Sequence, residues 1–131
     1  RMDFLKYFKI ALQEKLTRKG KVFAHLGPVS TPDVCVLIAD FFMRVDKVNW
    51  SIVSGVFARK LIVILRNDGI RKNAGTVAAK GFGQIGSAGG HKSTARAEIK
   101  LDALKSQVDV KNDGKLQRWI MSQVERRAGK K

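Results

Sequence analysis

The sequence predicts an α/β fold: a mixed β-sheet with helices packed over it, in a single compact domain. Three observations carry this. The chain has 131 residues, 44% of them hydrophobic, which is enough to bury a real core in one domain. Helical and strand periodicities mingle along the chain instead of separating into blocks. Two Val- and Ile-rich segments, Trp50–Phe57 and Leu61–Arg66, are joined only by Ala58-Arg59-Lys60. That spacing makes a hairpin, and with it a sheet that is not purely parallel.

Asp3–Arg18 reads as an amphipathic helix with Leu5, Phe8, Leu12 and Leu16 on one face, Phe4 and Ala11 beside them, and Gly20 as its stop. Lys21–Leu26 is a short strand, broken by Gly27-Pro28. Thr31-Pro32-Asp33 starts a helix: Thr31 caps, Pro32 suits the first turn, and Asp33 meets the positive end of the dipole. That helix runs to about Val45 and is apolar on nearly every side, through Val34, Val36, Leu37, Ile38, Phe41 and Phe42, as expected of burial against a sheet. Asp40 is its exception and belongs at the rim or in an ion pair.

After the hairpin, Arg66-Asn67-Asp68-Gly69 is a turn signal. Asn73–Phe82 reads as a short helix capped by Asn73 and stopped by Gly83, and Gly86–Lys92 as a loop. Ala95–Leu101 alternates as a strand with Ala95, Ala97, Ile99 and Leu101 on one face. Lys115–Arg127 closes the chain as an amphipathic helix with Leu116, Trp119, Ile120 and Val124 inward and Arg126 and Arg127 at its negative end. Ala128–Lys131 reads as a basic tail.

The formal charge of +15 marks a surface that attracts polyanions. Residues 1–60 and 61–131 are each basic, so the excess is not a tail. Charge alone does not choose between nucleic acid, a smaller phosphorylated ligand and an anionic surface. No run of about 18 apolar residues offers a membrane span, and the N-terminus lacks the order of a signal peptide, so no membrane partner is expected. Cys35, the one cysteine, sits in an apolar run and reads as a small buried hydrophobe; a reducing cytoplasm is the compartment consistent with it. Arg1 precedes Met2, which reads as a fragment of a longer chain.

The chemistry-bearing stretch is Gly81-Phe82-Gly83-Gln84-Ile85-Gly86-Ser87-Ala88-Gly89-Gly90-His91-Lys92-Ser93. So many glycines let a backbone approach a ligand and form an anion-binding nest of N–H groups. Ser87, Ser93 and Thr94 add hydroxyls, Lys92 a point charge, and His91 a donor in either tautomer. A plain turn between helix and strand is the competing reading. Arg66, ending an apolar strand, is placed for a bidentate phosphate contact, or else for a surface ion pair with Asp68. Arg71 and Lys72, in the following turn, read as solvated.

Gly89-Gly90-His91-Lys92 after a Phe-Gly helix end, followed by a strand, resembles the signature of the DHH-associated domain. That domain is the C-terminal lobe of DHH-family phosphoesterases: RecJ exonucleases, oligoribonucleases, cyclic-dinucleotide phosphodiesterases and exopolyphosphatase-related proteins. The order strand, helix, strand pair ending in Arg, helix, Gly-rich loop, strand fits as well, over about residues 20–104. The resemblance implies that Gly89, Gly90 and His91 face a catalytic cleft and contact substrate phosphate. It implies that Arg66 holds substrate, with Lys92 at a variable basic position. Two departures stand out: Ser87 and Ala88 replace part of the usual glycine run, and Arg96 stands near a position where glycine is common. Arg96 then either adds charge near the ligand or lies on the strand's exposed face.

By the same resemblance, residues 1–19 form a linker-like helix, 20–127 the substrate-binding domain and 128–131 the tail. The family's hydrolysis uses metal ions, usually manganese, bound by Asp and His residues of an N-terminal DHH lobe. Two-metal chemistry needs a cluster of such ligands. Here the histidines are His25 and His91, with no Asp-His-His tripeptide, so neither a metal nor a catalytic residue is expected in this chain. His25 reads as structural or domain-facing. The implied partners are a phosphorylated substrate, oligonucleotide or nucleotide-like, and that N-terminal lobe. The alternative is a stand-alone basic nucleic-acid-binding module, for which Tyr7 and Trp119 are the available stacking residues. A small complete enzyme using His91 as a general acid lacks a paired base or nucleophile.

Overall fold

The computed structural model describes residues 2–129, with burial for 4–125. The elements run α1 (Met2–Glu14), β1 (Leu16–Arg18), β2 (Lys21–Pro28), α2 (Asp33–Phe42), β3 (Trp50–Phe57), β4 (Lys60–Asn67), α3 (Ala74–Phe82), β5 (Ser87–Gly90), β6 (Thr94–Lys100), α4 (Leu101–Leu104) and α5 (Asp113–Gly129). The six strands form one sheet in the order β1-β2-β3-β4-β6-β5. Only β2 and β3, joined through α2, are parallel; the other pairs are antiparallel. The mixed sheet expected from the hairpin is therefore present, and its β3–β4 turn is tight: Ala58 and Arg59 both hold positive φ, 52° and 63°.

Strand alternation sends side chains to two cores, which makes the molecule a three-layer sandwich. On one face Phe23, Ile52, Leu61, Val63, Leu65, Ala97 and Ile99 pack against Ala78 and Phe82 of α3 and Leu116, Ile120 and Val124 of α5. On the other, Val22, Ala24, Val53, Ile62 and Ile64 pack against α1 and α2 through Tyr7, Ala11, Val34, Cys35, Ile38 and Phe42. Cys35 is fully buried, and burial pushes its thiol up to about 12, with Arg96 pulling weakly the other way. It is an inert core residue. No described helix is long and apolar enough to cross a membrane.

Several expectations are corrected. The first helix stops at Glu14, and Leu16–Arg18 is an edge strand paired to β2. The cause is Lys19-Gly20, whose positive φ values of 51° and 83° suit a two-residue hairpin turn. The inward face of α1 is Tyr7 and Ala11, flanked by Phe4, Phe8 and Ile10, whereas Leu5, Leu12 and Leu16 are exposed. On α2, Leu37 and Phe41 are exposed, so that helix is not buried all round; Phe41 meets Phe8 edge-on at 4.6 Å. The N-cap of α2 is Pro32 and not Thr31, whose hydroxyl only accepts from Asp33 N at 3.4 Å. Leu101 opens α4 instead of ending β6. Ala128 and Gly129, assigned to the tail, continue α5; Lys130 and Lys131 lie outside the described residues.

His25 takes a structural place. It is buried, its Nδ1 is 2.8 Å from the Ser54 hydroxyl across the β2–β3 pair, and its Nε2 is 3.7 Å from Asp113 at the start of α5. Burial lowers its pKa below the ordinary 6.5, with Asp113 opposing. The unfolded chain therefore binds the proton more readily. The stabilisation is complete above that ordinary value and declines as pH falls below it. Urea unfolding at successively lower pH should show wild type losing stability below about 6.5 and His25→Gln losing less. Parallel pH profiles would remove this role.

Candidate functional site

Residues directly opposite in an antiparallel pair share a face of the sheet. Arg66 lies opposite Thr94, Ile64 opposite Arg96, Gly89 opposite Arg96 and Ser87 opposite Glu98. Arg66, Ser87, Gly89, Thr94, Arg96 and Glu98 thus occupy the α2 face of the sheet. The body of α2 packs over β3 and β4 there, while Ser87 and Arg96 remain exposed.

Arg66 stands at the margin of α2, where its Nη1 approaches Asp40 Oδ1 at 2.6 Å. The partner is Asp40 rather than Asp68, whose carboxylate instead accepts from Ile70 N. The contact lacks hydrogen-bond alignment: Arg66 Nε and Asp40 Oδ1 are both buried without a hydrogen-bond partner. Arg96 is held by Glu98, through Nε at 2.8 Å and Nη2 at 2.7 Å, and Glu98 also lies 3.6 Å from Lys60 Nζ. Each arginine of this face is therefore oriented by a carboxylate that an incoming phosphate would have to share or displace.

The Gly-rich stretch is largely not a loop. Ser87–Gly90 is the edge strand β5. Successive N–H groups of an extended strand point in opposite directions, so they do not converge on one anion as a nest does. The glycines divide by what a Cβ would meet. At Gly86 it would lie 2.4 Å from Glu98 O, and at Gly90 2.4 Å from Thr94 O. Those two are required by close packing. At Gly89 nothing lies within 4 Å, so its bare backbone faces open space beside Arg96.

His91 and Lys92 are exposed in the turn from β5 to β6. Their carbonyls accept from Gly75 N at 2.8 Å and Ala74 N at 2.7 Å, while Thr76 N donates to Asn73 Oδ1 at 3.0 Å. The amides that begin α3 are therefore already satisfied, and the helix offers no free anion site. Tyr7 is buried, its hydroxyl accepting from Ser30 N, and Trp119 packs on Phe82 at 5.8 Å. Tyr7 therefore presents no open stacking platform, and Trp119 is half-buried against the core. Sequence reasoning alone does not bring Asp40 and Glu98 into the site. Glu98, two residues from Arg96 on one strand, is legible; Asp40 takes the ion pair expected of it, but that its partner is Arg66 is not legible, because the two lie on different elements. Among the described residues no three His, Cys, Asp or Glu side chains gather as a metal site, so no metal-dependent step is assigned to them.

No family model matches the chain. A curated relative is the uncharacterized protein MJ1633 of Methanocaldococcus jannaschii, 26% identical over 101 residues, or 77% of this chain. The match spans only 20% of that protein's length. The fold is similar to an exopolyphosphatase-related protein from Bacteroides fragilis, with TM-score 0.62, 12% identity, and coverage of 95% of this chain and 36% of that one. It is also similar to the pGpG-specific phosphodiesterase PggH from Vibrio cholerae, with TM-score 0.57, 14% identity, and coverage of 96% and 40%. The C-Ala domain of Aquifex aeolicus alanyl-tRNA synthetase matches with TM-score 0.54 and 14% identity, covering 82% of this chain and 97% of that domain.

Proposed function

We propose that this chain is the substrate-binding lobe of a DHH-family phosphoesterase. It holds a phosphorylated substrate, an oligonucleotide or nucleotide, against manganese ions carried by an N-terminal lobe. The observation that carries the reading is one sheet face on which Arg96 lies directly opposite Gly89, whose Cβ direction is open, with Ser87 two residues along the same strand and Arg66 on the far side of β6. The guanidinium forks supply paired donors to phosphate oxygens, Ser87 adds a hydroxyl, and Gly89 lets the ligand approach the strand closely. His91 and Lys92, at the end of the same strands, add donors to the edge of the face, and Gly90 sets the turn that carries them. Closing the two lobes would orient the scissile phosphate against the metals.

The likeness to a phosphodiesterase and an exopolyphosphatase-related protein supports a phosphoester or phosphoanhydride substrate. The coverage supports a separate partner lobe, since the match takes up 40% and 36% of those proteins. The stand-alone nucleic-acid module is less well supported, because Tyr7 and Trp119 are committed to packing.

The test is twofold. The coding sequence upstream of residue 1 should specify a lobe with clustered Asp and His residues. The 131-residue chain alone should turn over no phosphodiester when manganese is added. An upstream region without such a cluster, or clean turnover by the isolated chain, defeats the reading.

A further inference from the structure

One end of the sheet carries a second concentration of positive charge that this site does not use. The β1–β2 turn, the start of β3 and the loop after β4 border an open cavity of about 400 Å³ lined by Lys19, Lys21, Arg71 and Lys72, with Asp68 the one acid and Ile70 at the wall. Among the described residues none of the four cations makes an ion pair, in contrast to Arg66 and Arg96. Four cations against one carboxylate leave the cavity net positive, an arrangement that an anion would relieve.

The backbone that presents them is well tied. Gly20 O accepts from Asn49 N at 2.9 Å and Trp50 N at 3.2 Å, which pins the Lys19-Gly20 turn to β3. In the other wall, Asn67 accepts from Gly69 N and donates to Lys72 O, while Asp68 accepts from Ile70 N. Ile70 is 74% exposed, an apolar side chain left open beside a charged cavity. The cavity also adjoins the candidate site. Asn67 N donates to Ser93 O at 3.0 Å, and a Cβ on Gly69 would lie 3.3 Å from Ser93 Cβ. The loop that carries Arg71 and Lys72 therefore abuts the His91–Ser93 turn.

We infer that this cavity is a second phosphate subsite. The ligand is a single-stranded oligonucleotide that runs from the Arg66 face across the strand ends, places a later phosphate among Lys19, Lys21, Arg71 and Lys72, and rests a base on Ile70. The inference builds on the phosphate-binding reading of Arg66 and adds chain length to it.

The experiment is fluorescence anisotropy of the full chain with a labelled thymidine dinucleotide and octanucleotide at several salt concentrations. The octanucleotide should bind more tightly. The triple change Lys19→Ala, Arg71→Ala, Lys72→Ala should weaken it by about tenfold or more and flatten its log–log salt dependence by roughly 2, about 0.7 per lost cation, while leaving the dinucleotide unchanged. Arg71→Ala alone should do a third of this, which guards against misfolding of the triple variant. Lys9→Ala, Lys111→Ala, Lys115→Ala, an equal charge loss elsewhere, should preserve the advantage of length. If it abolishes that advantage equally, the cavity is not a subsite.

Ile70→Ser should weaken the octanucleotide and not inorganic pentaphosphate. An octanucleotide indifferent to Ile70 overturns the assignment of a strand. If Arg66→Ala is silent while the triple variant is weak, the Arg66 reading fails and the cavity stands. The converse removes the cavity and keeps Arg66.

Discussion

Gly75→Ala should lower the melting temperature by roughly 8 °C, the equivalent of about 2 kcal/mol for a chain of this size. Local reasoning gives the opposite sign. Gly75 lies in the first turn of α3, and alanine is better than glycine in a helix by up to about 1 kcal/mol. The contact decides otherwise. A Cβ at Gly75 would sit 2.6 Å from Gly90 O and 2.7 Å from its carbonyl carbon. Those atoms are backbone, not the end of a yielding side chain, and Gly90 is fixed in its turn by the ladder to Ala95. Forcing α3 off β5 is overpacking, which costs about 1–3 kcal/mol or somewhat more and outweighs the gain in propensity. It would also strain the bonds from Ala74 and Gly75 to the Lys92 and His91 carbonyls.

Gly89→Ala is the informative partner: its Cβ meets nothing within 4 Å, so thermal melting should shift little while binding of a phosphorylated ligand weakens. Equal loss of stability in both variants would mean that Gly89 too serves packing, and a more stable Gly75→Ala would mean that α3 and β5 are not held so closely.

This contrast also shows how far the sequence could be read. The hairpin, the Asn73 cap and the inward faces of β6 and α5 were legible because each depends on residues near one another in the chain. Strand β5 was not. Ser87-Ala88-Gly89-Gly90 has almost no strand propensity, and it is extended because β6 pairs with it and α3 rests on it. Strand β1 was hidden because Leu16 continues the helical spacing of Leu5 and Leu12, while the deciding signal was the turn at Lys19-Gly20. The inward face of α1 was ambiguous for a related reason. Phe4, Leu5, Tyr7, Phe8, Ile10, Ala11 and Leu12 go most of the way round the helix, and only the position of α2 and β2 selects Tyr7 and Ala11. In the site, the facing of Arg66 and Arg96 follows from the register of β4 against β6, which no local pattern encodes.

Arg66→Ala should weaken binding of the labelled thymidine dinucleotide by roughly 10- to 100-fold, the range expected for losing charge-assisted hydrogen bonds to a phosphate. Arg66→Lys should recover only part of that, because an ammonium restores the charge without the planar fork. Asp40 gives the sharper measurement. Its carboxylate, 2.6 Å from Arg66 Nη1, either competes with the ligand for the guanidinium or holds the guanidinium in the binding orientation. Arg66 and Asp40 keep 31% and 43% of their side-chain surfaces exposed, so solvent screens the pair and its net strength is small. A phosphodiester carries the same single charge but can take both N–H groups of the guanidinium fork, so it should outcompete a carboxylate contact that lacks hydrogen-bond alignment.

Asp40→Asn keeps the shape and removes the charge. Competition predicts that it tightens the dinucleotide by roughly two- to fivefold, as expected from freeing a screened surface pair. The effect should shrink as salt rises and vanish in the Arg66→Ala background, because the two changes act on one contact. If Asp40→Asn instead weakens binding to the level of Arg66→Ala, the carboxylate is a positioning group and Arg66 needs it in place. If both substitutions leave affinity untouched, the face formed by β4, β6 and β5 does not hold the phosphate.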